Sequence, residues 1–324
     1  MGIPARPRSR PRAARYRVSV IIPAPSGRQH RLALDDQHAT IAEVGASVRE
    51  YSVGGRDVVL PFAEDQIAPA YSGAVLAPWP NRLRDGRYAV AGTEHQMPLT
   101  EPERGTALHG LVAHCRFTPV PDIAPTSTSV TLEHLLVPTP GYPYALQIRV
   151  TYTLSDIGLG VELTTTNLGA GSAPYGVGFH PWLSPGGASL DACSLRLDAA
   201  TRVSVDDRLL PTGTEPVTGQ YDLRSAHRLA GVVLDDAFVD VIRDADGLSW
   251  IQLAAPDGRT AAAWMDRSMD AWQVCTGDGI PHLLRRGVAA EPMSCIADAF
   301  RSGQRLIQLA SHTSHTVTWG LTLL

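Results

Sequence analysis

Alternation with a period of two constrains this chain more than any other feature. In residues 144–154, YALQIRVTYTL, the side chains of Tyr144, Leu146, Ile148, Val150, Tyr152 and Leu154 fall on one side, with Arg149 and Thr151 on the other. An extended strand with one buried face is the conformation that places every second residue on the same side. SDIG (155–158) then supplies turn residues, and LGVELTTTN (159–167) resumes the pattern, which predicts a hairpin over 144–167. TSVTLEHLLV (128–137) precedes this unit, and HTVTWGLTLL (315–324) alternates again through Val317, Trp319, Leu321 and Leu323. Shorter runs of the same character are VSVII (18–22), RDVVLPF (56–62), FVDVI (238–242), WIQLAA (250–255) and RLIQLA (305–310). With 29 glycines and 25 prolines breaking most candidate helices, no amphipathic helix beyond one or two turns is expected. Many short strands with frequent turns predict an all-β fold, a large antiparallel sandwich or barrel.

The 324 residues suit one large β domain, since no low-complexity linker divides the chain after residue 17. SPGGASL (184–190) is the weakest point in that continuity. All 28 basic residues are arginine. Six of them (Arg6, Arg8, Arg10, Arg12, Arg15 and Arg17) fall in the leader MGIPARPRSRPRAARYR, which has three prolines and no acid. That leader contains no apolar run of the kind a secretory signal needs, and we expect residues 1–17 to form a disordered extension. Removing its six arginines leaves 22 basic against 32 acidic groups, a body charge of −10. So acidic a body is a poor ligand for nucleic acid, whose affinity comes from neutralised phosphates. No apolar run is long enough to span a bilayer as a helix, and no membrane partner is expected. The four cysteines (Cys115, Cys193, Cys275, Cys295) are scattered, which argues against a zinc site or disulfide framework. A soluble cytoplasmic protein follows, as a monomer or homodimer.

Several segments interrupt the alternation with clustered polar chemistry. PWPNRLRDGRY (78–88) carries Asn81 and Arg82, and its prolines and Asp-Gly pair suggest an ordered loop. GTALHGLV (105–112) places His109 before Gly110, where glycine permits close backbone approach. YGVGFHPWL (175–183) sets His180 among apolar and aromatic neighbours. GVAAEPMSC (287–295) sets Glu291 among small apolar residues, and VLDDAF (233–238) offers Asp235 and Asp236. Each has an ordinary structural alternative: a surface arginine, a buried histidine with one satisfied hydrogen bond, a glutamate in a turn. The chain carries no GxSxG, P-loop, HExxH or dinucleotide glycine fingerprint, so neither a cofactor nor a metal is expected. Two histidines and carboxylates without a nucleophile motif leave proton transfer as the available chemistry. For His180, apolar walls favour the neutral imidazole and a nearby carboxylate the charged form, a balance expected to leave it titrating near neutral pH.

PNRLRDGRY, the LHG of 108–110, GFHPW, LDDAF and AAEPM occur in an order and spacing that resemble the aldose 1-epimerase (galactose mutarotase) family. The HPWL and AAEPM variants look most like its divergent bacterial epimerase-like branch. The resemblance implies a β-supersandwich, with a small-molecule sugar as the partner on its open face. It implies Glu291 as the general base toward the anomeric hydroxyl and His180 as the general acid toward the ring oxygen. Asn81, Arg82, His109 and Asp235 would bind the sugar hydroxyls, Asp235 being preferred over Asp236 on the family's spacing. Trp182 or Trp272 could pack against a sugar's C–H face, although core packing is the favoured role for each.

Three functions fit this reading. The first is mutarotation of a free aldohexose such as glucose or galactose. The second is a hexose-6-phosphate mutarotase, with Arg82, Arg84 and Arg87 supplying a cationic subsite. On a strand, Arg82 and Arg84 would share a face, but the turn residues argue for a loop. The third is a non-catalytic sugar-binding or regulatory module, disfavoured because a binder needs no acid/base pair.

Overall fold

A computed structural model describes Gly2 and residues 24–324. The run VSVII and, Gly2 apart, the extension expected over residues 1–17 lie outside the described residues. The regular secondary structure of the described residues is almost entirely β. One α-helix, Ala299–Ser302, spans four residues.

The alternating hairpin forms the centre of a nine-stranded antiparallel sheet. Its strands are Leu146–Ser155 and Gly158–Asn167, joined so that Ser155 faces Gly158 across a two-residue turn. Leu146, Ile148, Val150 and Tyr152 are fully buried, whereas their neighbours Gln147, Arg149 and Thr151 remain partly exposed. Burying each such large apolar side chain stabilises the fold by about 1.5–3 kcal/mol, which fixes the face that turns inward. Ser129–Leu136, with the edge strand Thr118–Pro119 beyond it, pairs on one side and the C-terminal strand Ser314–Leu323 on the other. Beyond the latter come Thr260–Met265, Ser249–Ala254, Ser194–Leu197 and the short edge strand His227–Arg228.

The second large sheet runs Pro211–Pro216, Ala199–Val205, Asp235–Val241, Ala271–Cys275, Val288–Met293, Gly178–Phe179 and Val75–Leu76. Trp182–Leu183 also pairs with Val288–Met293. The two sheets pack through their inner faces. Phe179 of this sheet lies 4.9 Å, ring to ring, from Trp319 of the nine-stranded sheet. The indole N–H of Trp272 crosses the same interface to donate to Ser249 Oγ at 3.1 Å. A four-stranded sheet, from Gln29–Leu34 to Arg56–Asp57, contributes Leu32, Ala39, Ile41 and Tyr51 to the shared core. The architecture is a large antiparallel β-sandwich, as the alternation predicts.

Local readings fare unevenly. RDVVLPF is a strand only at Arg56–Asp57, and the segment expected as a loop at 78–88 contains two strands, Arg82–Arg84 and Arg87–Val90. The first pairs with Thr106–Leu108. Leu83 is buried there between two arginines held by acidic partners, Arg82 by Glu101 and Arg84 by Asp298. YGVGFHPWL is not one strand either: Gly178–Phe179 and Trp182–Leu183 are separated by His180 and Pro181. Glu291, far from a turn, lies within Val288–Met293, a strand paired on both sides and buried at every position.

Candidate active site

Register decides what faces the cavity. Residues opposite one another in an antiparallel pair lie on the same side of the sheet. Ala237, Gln273 and Glu291 are opposite one another across three strands, and Asp235, Cys275 and Ala289 form the next row. Trp182 faces Ala289 and extends that row. Asp236, Val274 and Ala290, and likewise Phe238, Trp272 and Pro292, take the other face. One face therefore carries Asp235, Gln273, Glu291 and Trp182, while the other presents Phe238, Trp272 and Val274 to the core.

A cavity of about 310 Å³ opens on the polar face. All six residues singled out in the sequence (Asn81, Arg82, His109, His180, Asp235 and Glu291) line it. Asp236 does not. Its Oδ1 accepts from Arg202 Nε at 2.7 Å, and Arg202 also binds Glu215, so this carboxylate is spent on the far face. Of the two tryptophans, Trp272 packs in the core, but Trp182 lines the cavity, its ring 5.8 Å from that of His180 and only 24° from parallel. The favoured core role thus holds for Trp272, while Trp182 does both, packing with Leu283 and Ala289 in a small buried cluster and presenting part of its ring to the cavity.

His180 is held by its own backbone. Its N–H donates to Ala74 O at 3.2 Å, and its C=O accepts from Gly73 N–H at 2.8 Å. Pro181 O accepts from Ala290 N–H at 3.0 Å, so the break between the two short strands is tied to the strand bearing Glu291. His180 Nε2 consequently stands 3.3 Å from Glu291 Oε1, with both side chains buried. Burial pulls the imidazole down to about 4, and no balance near neutrality results. Burial and the charge of Asp235 push Glu291 well above the ordinary carboxylate range, with Arg82 opposing. The physical cause is one desolvated site acting on groups of opposite sign: the neutral form of each is favoured. His180 Nδ1 and Glu291 Oε2 have no hydrogen-bond partner among the described residues. A buried polar atom without a partner is costly, and here both belong to groups that line a cavity.

The remaining groups are set by tight local geometry. Asn81 and His109 both adopt left-handed backbone, at φ 56° and 59°. His109 N–H donates to Asn81 O (2.9 Å), and Asn81 N–H donates to His109 Nδ1 (3.2 Å). Because Nδ1 must accept there, the neutral ring carries its proton on Nε2. Burial, and then His180, Arg82 and His114, hold His109 well below its ordinary value, so the neutral form prevails. Gly110, at φ 73°, makes this turn possible: a Cβ would stand 2.2 Å from Ala77 O. Atoms of His109, His180 and Glu291 lie within 4.8 Å of one another, a spacing a cation could use. The proton on His109 Nε2 removes the lone pair such a ligand would need.

Arg82 grips Glu101 with two bonds, Nε to Oε2 at 2.8 Å and Nη2 to Oε1 at 2.9 Å. Burial would pull the guanidinium down, but Glu101, Asp235 and Glu291 together hold it above its ordinary value. Glu101 is lowered despite burial by its bonds from Arg82 and Thr106 and by the charge of Arg104. Asp235 is raised by burial, against Arg82 and the bond it accepts from Gln273 Nε2 at 2.7 Å. Arg84 and Arg87 do not reach the cavity. Arg84 pairs with Asp298 and Asp206, and Arg87 binds Gln96. The three-arginine phosphate subsite is therefore not assembled.

Sequence reasoning missed Gln273, Tyr71, Cys275 and Asp278, all of which line the cavity. Gln273 carried a usable signal, a lone polar residue inside the apolar run AWQVC. Tyr71 and Asp278 lie on segments outside regular strands, where no period marks a direction.

Comparison with known proteins gives a consistent result. The family model for aldose 1-epimerase matches residues 30–322. The uncharacterised protein YihR of Escherichia coli (strain K12) is 36% identical over 300 residues, covering 91% of this chain and 93% of its own length. Among solved structures, a galactose mutarotase-like protein from Clostridium acetobutylicum superposes with a TM-score of 0.81 at 18% identity, covering 91% of this chain and 94% of that one. The GalM/aldose epimerase homologue from C. elegans gives 0.80 at 19%, covering 92% and 98%. At such identities these structures speak to the fold.

Proposed function

The chain belongs to the aldose 1-epimerase family, and from that membership and the geometry of its cavity we propose that it interconverts the α and β anomers of an aldohexose such as glucose or galactose. The observation that carries this reading is the His180–Glu291 pair, 3.3 Å apart in a cavity whose rim is set with hydroxyl-binding groups. A volume of about 310 Å³ is near the small end for ligand sites and suits a monosaccharide.

Ring opening needs one proton removed and one supplied. Glu291 as carboxylate takes the proton from the anomeric hydroxyl, and His180 as imidazolium gives one to the ring oxygen. The bond from C1 to the ring oxygen breaks, leaving an aldehyde at C1. Rotation about C1–C2 turns the other face of the aldehyde toward the hydroxyl. Closure reverses both transfers: His180 takes the hydroxyl proton and Glu291 returns one to the carbonyl oxygen. In the open-chain stage Glu291 is protonated and His180 neutral, the distribution that burial favours. The cyclic sugar requires the other distribution, which differs only by passage of one proton from Glu291 to His180 across their contact. Arg82, Asn81, His109 and Asp235 hold the sugar hydroxyls, with His109 Nε2–H as a donor and Asp235 as an acceptor.

The test is anomer exchange of pure α-D-glucose and α-D-galactose, followed by polarimetry beside a panel of other free and phosphorylated aldoses. Exchange at the buffer rate across the whole panel would sink the reading. Activity confined to hexose 6-phosphates would move it to the phosphorylated substrates.

A further inference from the structure

Part of the cavity wall is built by a turn to which the proposed chemistry assigns no role. Ala70 and Tyr71 are both left-handed, at φ 42° and 58°, in succession and without a glycine. Such a pair is unfavourable for residues with a Cβ, and strain of this kind gathers where a site requires it. The turn is fixed nonetheless. Ser72 N–H and its hydroxyl both reach Pro69 O, at 2.9 and 2.6 Å, and Ala74 N–H donates to Tyr71 O at 2.9 Å. Gly73 follows at φ 71°, where a Cβ would stand 2.3 Å from Val48 O. The same Gly73 and Ala74 are the residues that bond the backbone of His180 on both sides. Tyr71 is thus carried on the turn that holds His180 in place.

Its ring makes three contacts with imidazoles: 4.6 Å from His109, 5.0 Å from His114 and 6.3 Å from His180, the last nearly parallel at 24°. Trp182 is inclined to His180 by the same 24°, so two aromatic rings stack with that imidazole. The Tyr71 phenol lines the cavity, is kept neutral by burial and by Glu101, and draws no hydrogen bond from a described residue. A neutral hydroxyl that can donate and accept, fixed at the edge of a polar cavity, is what a sugar hydroxyl recognises.

We infer that Tyr71 is a substrate-binding and specificity residue, its phenol hydroxyl bonding a hydroxyl of the bound aldose while its ring walls the site beside His180 and His109. The inference rests on the mutarotase reading for the identity of its ligand class.

Tyr71→Phe removes the hydroxyl and keeps the ring, so it separates binding from fold. For the preferred aldose we expect KM to rise about fivefold, the size of one neutral hydrogen bond, with kcat little changed. Among the 2-, 3-, 4- and 6-deoxy sugars, one will show no difference between wild type and Tyr71→Phe, because the partner hydroxyl is already missing. An active wild type whose KM is matched by Tyr71→Phe on every sugar overturns the inference and leaves the mutarotase reading intact. A wild type that exchanges nothing defeats that reading. In that case ligand-observed NMR titration of glucose and galactose decides on Tyr71: weaker binding by Tyr71→Phe supports it, and equal binding or none overturns it.

Discussion

His180 Nε2 and Glu291 Oε1 stand 3.3 Å apart in a site that disfavours charge on either. Burial favours the neutral form of each, and because the two are in contact it is the pair that titrates.

Glu291→Gln and His180→Asn each remove one partner in proton transfer while preserving approximate shape. Each should lower kcat for anomer exchange by about 10²- to 10⁴-fold, the usual contribution of a positioned acid or base. Polarimetry on both variants checks this, and full activity in both would refute the assigned roles.

The pH profile should be a broad bell. Below about 4, His180 brings a second proton into the pair and Glu291 cannot act as a base, so kcat/KM falls as pH drops through that value. On the alkaline side the shared proton is lost and no acid remains. That limb lies above the ordinary carboxylate value of 4.5, because Glu291 is raised. An acid limb at 6.5, the ordinary histidine value, would contradict the burial argument.

Stability should follow the same groups with opposite signs. A histidine lowered from 6.5 to about 4 contributes fully above 6.5 and loses its contribution as pH falls toward 4. His180→Asn should therefore flatten the pH dependence of unfolding in that window, by as much as about 3 kcal/mol. A raised glutamate acts the other way, costing stability as pH rises above 4.5. Glu291→Gln should consequently melt higher than wild type at pH 7, as calorimetry would show, while losing activity.

Adjacent aspartates should separate cleanly. Asp235→Asn, on the cavity face beside Gln273, should raise KM about tenfold. Asp236→Asn, on the far face with Arg202, should leave KM unchanged and lower unfolding stability by about 1–3 kcal/mol. Kinetics and denaturant melts on both variants would expose a reversed assignment.

Gly110→Ala tests the turn under His109. A Cβ there would meet Ala77 O at 2.2 Å from a backbone at φ 73°. We expect a loss of about 1–3 kcal/mol in stability, together with a raised KM as His109 shifts.

Much of this was legible in the chain. The hairpin at 144–167 and the terminal strand alternate so regularly that only one face could be buried. His180 and Glu291 stood out because titratable groups among apolar residues demand explanation. What could not be read was register. Asp235 and Asp236 differ by one position, as do the roles of Gln273 and Trp272, and parity alone does not say which face turns inward until a neighbouring strand is fixed. The two tryptophans show the same limit, since Trp182 reaches the cavity through a break at His180 and Pro181 that no period predicts. Arg84 was misread for another reason: its partners Asp206 and Asp298 are distant in sequence.

The rows that place Gln273 opposite Glu291 also bear on how the chain finds its fold. Rotating the faces of Val288–Met293 by a one-residue slip would carry Glu291 into the space held by Ala290 and Pro292, among Trp272, Val274 and Phe238. A carboxyl group there would stand among the packed side chains of the core, and desolvating it without a partner is costly. The residues proposed to work on sugar thus also proofread strand pairing, penalising the misaligned sheet before any ligand is met.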